Sequence, residues 1–181
     1  MDRRDKRMEK IHRAVFIDRD GTMGANASCE YPFEFIPFDG LKEAIGRLQK
    51  AGYLAIAITN QSCVARGKGK GYDFDKELAS YGLDDWFICP HDDQDNCGCR
   101  KPKPGLILQA QEKYSLSLPD CIMIGDRWTD INTGKSVGCK GVLVLTGRGK
   151  EEVLKENPFS PDSVQKDIFS AIDWIIKEAG V

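Results

Sequence analysis

The sequence predicts an α/β fold in which helices cover both faces of a central, mostly parallel β-sheet. Apolar runs alternate with amphipathic stretches along the 181 residues, as expected for repeated strand–helix units. The apolar runs are nearly continuous, which is typical of strands buried on both faces. The chain contains no internal repeat, low-complexity tract or obvious linker, and its length suits one substantial core. We therefore predict a single domain over residues 1–181.

Five apolar runs account for the predicted strands. In chain order they are AVFI (14–17), YLAIAIT (53–59), WFIC (86–89), CIMIGD (121–126) and GVLVLTG (141–147). Ahead of the first run, MDRRDKRMEKIHR (1–13) is charged and lacks the apolar centre of a signal peptide. We expect this segment to be a frayed or weakly helical lead-in to the first strand.

Five stretches with apolar residues at helical spacing account for the predicted helices. They are residues 40–52, 72–82, 104–114, 129–138 and 168–179. The first ends at Gly52, which is a plausible C-terminal stop, and the third begins at Pro104, a residue favoured in the first turn of a helix. Each helix follows a predicted strand or the loop after one, which completes the α/β alternation.

Composition and charge exclude several functional classes. The formal net charge of −2 gives no indication of nucleic-acid binding, and no apolar run is long enough to span a bilayer. We expect a small-molecule partner, no nucleic acid, no membrane and a monomeric state. The seven cysteines are odd in number and three of them cluster in residues 89–99, which favours a reduced metal site over a disulfide framework. With no targeting segment, we expect a cytoplasmic location.

Polar side chains follow four of the predicted strands. They are Asp18, Arg19 and Asp20 after the first, Thr59, Asn60, Gln61 and Ser62 after the second, His91 after the third, and Asp126, Arg127 and Asp130 after the fourth. Any one of these groups alone is more simply explained as a turn or a helix cap. Parallel strands would bring all of them to one edge of the sheet, where ligands bind in open α/β folds. The set therefore indicates a binding or catalytic site.

The residue types at this edge suit phosphoryl chemistry assisted by magnesium. Mg²⁺ prefers oxygen ligands, which Asp18 and Asp126 could supply. A carboxylate can attack phosphorus, and a second one two residues later, Asp20, could protonate the leaving oxygen and then activate water. The transferred group also needs positive charge, for which Arg100 and Lys101 are the best candidates.

A second metal site is predicted in the loop at residues 89–99. Its sequence, CPHDDQDNCGC, contains Cys89, His91, Cys97 and Cys99, which together form a tetrahedral ligand set for Zn²⁺. Four protein ligands leave no open position, so we expect a structural zinc that orders the acidic loop and delivers the two basic residues after it. The alternative is a loop with free cysteines and a surface histidine.

At these motifs the sequence resembles the haloacid dehalogenase superfamily of phosphatases. DRDGT is similar to the first family motif, ITN to the second, the lysine of RKP to the third and GDRWTD to the fourth. The motifs stand in the family's order and cover roughly residues 14–145. The resemblance implies a Rossmann-like three-layer sandwich, and the short loops after the first two strands leave no room for a large cap domain.

The resemblance also implies a role for each motif residue. Asp18 is expected to be the nucleophile and Asp20 the general acid/base. Thr59 and Lys101 are expected to hold the phosphoryl group. Asp126 is expected to bind Mg²⁺ together with the Asp18 carboxylate and the backbone carbonyl of Asp20.

The zinc loop narrows the resemblance to a subset with little or no cap, which includes heptose bisphosphate phosphatases and histidinol-phosphatases. TNQSCVARGKG and CRKPKPG resemble the former, whereas GDRWTDI and the spacing of the zinc ligands resemble the latter. By this resemblance Asn60 and Arg100 are expected to contact the phosphate or sugar of the substrate, and Arg66 is expected to bind substrate near the mouth of the pocket. Arg127 directly follows Asp126 and is expected to reach the same site as a fourth substrate-binding residue. We predict an aspartyl-phosphate phosphatase of carbohydrate metabolism acting on D-glycero-D-manno-heptose 1,7-bisphosphate or a related sugar phosphate, with histidinol phosphate as the alternative.

Two alternatives lie outside this class of enzyme. The first is an inactive, phosphate-binding zinc protein, although every expected catalytic position is filled. The second is a response-regulator receiver, which also uses Asp and Mg²⁺ but lacks the DxDGT motif and a zinc loop.

Overall fold

The computed structural model describes residues 13–180, so the expectation for the first twelve residues lies outside it. Six parallel strands form one sheet in the order β3-β2-β1-β4-β5-β6. The strands are β1 (Arg13–Ile17), β2 (Tyr53–Asn60), β3 (Asp85–Cys89), β4 (Ile122–Gly125), β5 (Lys140–Val144) and β6 (Ser163–Gln165). The predicted three-layer α/β fold with a parallel sheet is confirmed.

The helices connect these strands across the two faces of the sheet. They are α1 (Leu41–Lys50), α2 (Ser62–Ala65), α3 (Phe74–Ser80), α4 (Gly105–Tyr114), α5 (Trp128–Lys135), α6 (Gly149–Glu152) and α7 (Ile168–Glu178). All five predicted strands and all five predicted helices are present, and their ends differ from the predicted ends by up to about three residues. No helix within residues 13–180 is long and apolar enough to cross a membrane.

Three regular elements were not predicted from the sequence. Helices α2 and α6 have only four residues each, too few for helical periodicity to register. Strand β6 has three residues, of which two are polar, and lies at the edge of the sheet. An edge strand buries little side-chain area, so it lacks the apolar run by which the other strands were found.

The two faces of the sheet have separate cores because alternate residues of a strand point to opposite faces. In β1, Val15 and Ile17 pack with buried residues of α1 and α7. Ala14 and Phe16 pack on the other face with buried residues of α4, including Ile107. The central strand β1 is thus covered on both sides, which holds its carboxyl end in a defined position.

The strand order reverses at β1, because β2 and β4 are its two neighbours. Ile17, the last residue of β1, pairs with Ala57 on one side and with Ile124 on the other. Asp18 then donates its backbone N–H to the carbonyl of Ile124 (3.0 Å). The first carboxylate therefore stands at the topological switch point, where open α/β sheets form their binding crevice.

No large domain is inserted in the described chain near this crevice. The connection from β1 to α1 contains one 3₁₀ turn, Pro32–Glu34, and the connection from β2 to β3 contains only α2 and α3. The predicted absence of a large cap is confirmed for this part of the chain. The single-domain organisation of residues 1–181 stays a prediction.

Candidate active site

A cavity of about 260 Å³ opens at the carboxyl edge of the sheet. Its walls include seven of the residues singled out from the sequence, namely Asp18, Asp20, Asn60, Arg66, Arg100, Lys101 and Arg127. Thr59 and Asp126 are fully buried beside it. The strand-end residues that are far apart in sequence therefore converge, as the parallel sheet predicts.

A cluster of buried carboxylates forms the base of the cavity. Asp18, Asp126 and Asp130 place carboxylate oxygens within 4.8 Å of one another. Burial and the neighbouring carboxylates raise the pKa of Asp126 to about 8. Burial also raises the pKa of Asp130 to about 6, against the opposing effect of Lys101. Three acidic groups in so little space require positive charge nearby.

The oxygen atoms of this cluster fit a magnesium ion. Asp126 Oδ2 accepts a hydrogen bond from the backbone N–H of Arg148 (2.8 Å), but Asp126 Oδ1 is buried and has no hydrogen-bond partner among the residues that the structure describes. An unpaired buried carboxylate oxygen is costly, and binding to a cation is a common way to satisfy it. The carboxylates of Asp18 and Asp126 are thus available as the predicted hard-oxygen ligands.

Asp130 follows β4 in the sequence, but the sequence pattern predicts no catalytic or metal-binding role for it. It lies four residues after Asp126, in the first turn of α5, and its Oδ2 accepts the backbone N–H of Arg127 (3.1 Å). This contact turns the carboxylate back toward the strand tip. The sequence showed only an acidic residue in the first turn of a helix. Such a residue is common there simply because it interacts favourably with the helix dipole, so it did not indicate a site residue.

Lys101 supplies the positive charge inside the cluster. Its Nζ lies 2.7 Å from oxygens of both Asp18 and Asp130 and donates to the carbonyl of Ile58 (2.9 Å). Burial lowers the pKa of Lys101, but the two carboxylates outweigh burial and raise it to about 12. The ammonium therefore stays charged at neutral pH beside the candidate nucleophile.

Asn60 holds the backbone of Lys101. Its side-chain oxygen accepts the N–H of Lys101 (3.0 Å), and its amide nitrogen donates to the carbonyl of the same residue (3.2 Å). The sequence predicted a substrate contact for Asn60. In the structure its amide is occupied by Lys101, so the observed contacts of Asn60 position the lysine, and a substrate contact stays a prediction.

The carboxylate of Asp20 is held from both sides. Arg19 Nη1 donates to its Oδ1 (2.8 Å) and Gln61 Nε2 to its Oδ2 (2.7 Å). The same Gln61 nitrogen lies 2.9 Å from Thr59 Oγ1, which ties the second motif to the first. Burial raises the pKa of Asp20, although the charge of Arg19 opposes this rise. A raised pKa suits a group that must donate a proton.

Arg100 and Arg127 lie on the wall of the cavity and are anchored by polar partners. Arg100 Nη1 donates to Ser62 Oγ (2.8 Å) and to the carbonyl of His91 (3.2 Å). Arg127 donates to the carbonyl of Ala27. Both guanidinium groups are thus oriented beside the cavity, and contact with substrate stays a prediction for each.

Arg66 is also at the cavity wall, but its charge is engaged. Its guanidinium forms two hydrogen bonds to the carboxylate of Asp92 (2.7 and 2.8 Å) and more than half of its side chain is exposed. This pair connects the segment after β2 to the loop at residues 89–99. The predicted substrate contact of Arg66 would require it to share or leave this partner.

The four predicted zinc ligands are brought together. The sulfurs of Cys89, Cys97 and Cys99 lie 3.4–3.6 Å apart, and His91 Nδ1 lies 3.3 Å from the sulfur of Cys99 and 3.6 Å from that of Cys89. Zinc bonded to sulfur at about 2.3 Å in a tetrahedron would separate the sulfurs by about 3.8 Å. All seven cysteines are free, so the three thiols are available as ligands, and a small increase in the distances between the sulfurs would fit the set to zinc.

Comparison with known proteins agrees with this geometry. The HAD-hydrolase-like family model matches residues 98–171. The chain is 37% identical over 155 residues to the D-glycero-beta-D-manno-heptose-1,7-bisphosphate 7-phosphatase of Pasteurella multocida, covering 76% of this chain and 84% of that protein. This chain belongs to the haloacid dehalogenase family of phosphatases.

Two further members of this family match over nearly their full length. The protein of the same name from Helicobacter pylori is 35% identical over 185 residues, covering 93% of this chain and 99% of that one. The crystal structure of the D,D-heptose 1,7-bisphosphate phosphatase from B. bronchiseptica, complexed with magnesium and phosphate, superposes with a TM-score of 0.82. It is 29% identical and covers 92% of this chain and 99% of its own.

Proposed function

We propose that this phosphatase removes the 7-phosphate of D-glycero-β-D-manno-heptose 1,7-bisphosphate. The phosphatase chemistry is supported above all by one observation, the contact of Lys101 with both Asp18 and Asp130 at the switch point of the sheet. The substrate is supported by the names of the relatives that match most of this chain. The β anomer, which the sequence did not distinguish, is the one in those names.

In the first step Asp18 is the nucleophile. One of its carboxylate oxygens forms a bond to phosphorus while the bond from phosphorus to the C7 oxygen of the sugar breaks. Asp20 in its protonated form, which burial favours by raising the pKa of the carboxyl group, gives its proton to the departing oxygen. The sugar leaves as an alcohol, and the phosphoryl group remains on Asp18.

In the second step Asp20 acts as a base. Its carboxylate accepts a proton from a water molecule whose oxygen bonds to phosphorus, and the bond between phosphorus and Asp18 breaks. The products are inorganic phosphate, the free Asp18 carboxylate and a protonated Asp20. The general acid is therefore ready for the next substrate.

Positive charge makes the approach of a carboxylate to an anionic ester feasible. Lys101 is held 2.7 Å from Asp18 and, with Thr59, would bind the oxygens of the transferred group. Asp18, Asp126 and the backbone carbonyl of Asp20 would hold Mg²⁺, which would add further positive charge to the site. The unpaired Oδ1 of Asp126 supports this ligand set.

The remainder of a bisphosphate would lie toward the cationic wall of the cavity. Arg100 and Arg127 are oriented beside the cavity, and Arg66 lies on the same wall. Guanidinium groups suit phosphate because they can donate two hydrogen bonds at once. We propose that they bind the sugar and its second phosphate.

We also propose a structural zinc at Cys89, His91, Cys97 and Cys99 and a monomeric enzyme working in the reducing cytoplasm. Seven free thiols are consistent with such a compartment. The zinc would order the loop that carries Asp92 and Asp93, the partners of Arg66 and Arg100.

Phosphate release with Mg²⁺ tests the reaction and the substrate together. The panel contains the β and α anomers of heptose 1,7-bisphosphate and histidinol phosphate, and we expect the highest kcat/KM for the β anomer. Preference for histidinol phosphate would overturn the substrate, and no release from any ester would favour the inactive binding protein.

Replacement of the nucleophile tests the mechanism. Asp18→Asn is expected to abolish turnover, because an amide does not attack phosphorus, while a folded protein remains. Asp173→Asn is the matched control, since Asp173 is exposed on α7 and, within residues 13–180, forms an ion pair with Arg47 alone. Wild-type turnover in Asp18→Asn would contradict the proposed covalent step.

A further inference from the structure

Arg19 stands between the two catalytic aspartates in the sequence, yet its side chain is completely buried. Burying a guanidinium is costly unless nearly all of its N–H groups are paired. The proposed mechanism gives Arg19 no role, and the family resemblance on the motif residues assigned none to it. Its contacts therefore require an explanation of their own.

The guanidinium of Arg19 is fixed on several sides. Its Nε and Nη2 donate to the two carboxylate oxygens of Glu77 (2.8 and 3.0 Å), and Nη2 also donates to the carbonyl of Pro32 (2.9 Å). The Phe35 ring lies against it, with the ring centroid 3.9 Å from the guanidinium carbon. The Phe74 ring lies farther away, with its centroid 5.7 Å from the guanidinium carbon, and a further hydrogen bond runs from Nη1 to Asp20 Oδ1 (2.8 Å).

Glu77 is fixed in turn by two tyrosines. The hydroxyl of Tyr72 donates to its Oε2 (2.7 Å) and that of Tyr81 to its Oε1 (2.9 Å). Each carboxylate oxygen of Glu77 therefore accepts one bond from Arg19 and one from a tyrosine. Because Glu77 belongs to α3, this helix is connected through Arg19 to the candidate general acid.

We propose that Arg19, held by Glu77, is a positioning residue that keeps the Asp20 carboxyl group in reach of the leaving oxygen. Gln61 holds the other oxygen of the same carboxyl, so the group has little freedom to rotate. A carboxyl oxygen that accepts one hydrogen bond still has a lone pair or a proton for the reaction. The inference rests on the proposed function, in which Asp20 protonates the leaving group.

The dependence of kcat/KM on the leaving group distinguishes a role of Arg19 in positioning Asp20 from a role in stabilising the fold alone. For an aspartyl-phosphate enzyme, kcat/KM covers the steps up to departure of the first product. Heptose 1,7-bisphosphate releases an alcohol that needs the proton of Asp20, whereas 4-nitrophenyl phosphate releases a phenolate that leaves without one. A misplaced Asp20 therefore lowers kcat/KM for the sugar phosphate and largely spares the aryl phosphate.

The variants are Glu77→Gln, which keeps the shape of the side chain, and Arg19→Met, which removes the guanidinium. In each we expect kcat/KM for the heptose bisphosphate to fall at least tenfold more than kcat/KM for 4-nitrophenyl phosphate. Arg47→Met is the matched control, because it removes an arginine from an exposed pair with Asp173 and should leave both values unchanged. Thermal unfolding establishes which variants are folded.

The relative losses of kcat/KM for the two substrates decide whether Arg19 and Glu77 position Asp20. Equal losses for the two substrates in folded Glu77→Gln would overturn the positioning role, and so would no loss at all. If Arg19→Met does not fold, Glu77→Gln and the milder Tyr72→Phe, which removes one bond to Glu77, decide the matter in the same way. A wild-type protein that hydrolyses neither ester would instead refute the proposed function.

Discussion

Two glycines, Gly21 and Gly147, leave room for the carboxylate of Asp126 at the tip of β1. Gly21 has a φ of 80°, a left-handed conformation, and a Cβ built there would lie 2.2 Å from Asp126 Oδ2. That distance is far inside van der Waals contact, so any larger residue must displace the carboxylate. The Gly in the first motif therefore has a steric reason that involves the fourth motif.

We predict that Gly21→Ala lowers kcat by about 100-fold, because a displacement of this size disrupts the alignment of reacting groups. The magnesium dependence of activity should shift to higher concentration at the same time. Gly138→Ala is the matched control, because Gly138 also has a left-handed φ of 89° but no atom of residues 13–180 within 4 Å of the added Cβ. It should cost about 1 kcal/mol of stability and leave kcat unchanged. Wild-type kcat in Gly21→Ala would contradict the steric argument.

Among the elements, the loop at residues 89–99 has the most direct connection to the cavity. Its Asp92 binds Arg66 and its Asp93 binds Arg100 (2.5 Å), while Arg100 also contacts the carbonyl of His91. The loop has one 3₁₀ turn, Asp93–Asp95, and little apolar surface to order it. A metal bound by its four ligands would therefore determine where two wall arginines lie.

We predict that Cys99→Ser reduces bound zinc from one per chain to well below one, measured by atomic absorption after dialysis. Without the ordered loop, kcat/KM for the heptose bisphosphate should fall about tenfold through Arg100 and Lys101. Cys139→Ala is the control, because Cys139 is a buried free thiol outside the loop and should retain the full zinc content. Full zinc content in Cys99→Ser would refute the proposed ligand set.

Across the whole molecule, the residues that stabilise the fold and the residues proposed to act in catalysis lie in different places. The two cores lie on the faces of the sheet, whereas the cavity opens at its carboxyl edge. Adjacent residues of α4 differ in burial, since Ile107 belongs to a core and is completely buried whereas Leu108 is 44% exposed. Core substitutions far from the edge should therefore change stability much more than kcat.

We predict that Ile107→Ala lowers the free energy of unfolding by about 2–5 kcal/mol, the range for large-to-small changes in a packed core. Leu108→Ala, on the same helix, should change it by about 0.5 kcal/mol or less. Urea unfolding gives both values, and kcat at 25 °C should stay within about twofold of wild type in each variant. A similar loss of stability in both variants would contradict the assignment of the core.

The fold and the principal strand-end residues were readable from the sequence because each leaves a local signal. Buried strands are apolar runs, core helices are periodic, and parallel topology sends every strand end to one edge. Strand β6, α2 and α6 left no such signal because they are short or at an edge. Gln61 was noted after β2, but nothing local indicated that its amide would bridge Asp20 and Thr59.

The amino-acid order alone was enough to indicate the chemistry, because carboxylates, thiols and basic residues occur in recognisable spacings. Which partner each side chain meets depended on distances across the fold. Asp130 joins the acidic cluster, Asn60 holds Lys101, and Arg66 pairs with Asp92, all through contacts between segments far apart in the chain or through the turn of a helix. Hydrogen bonds and ion pairs act over about 3 Å, and positions at that scale are defined only when the strands and helices are packed together.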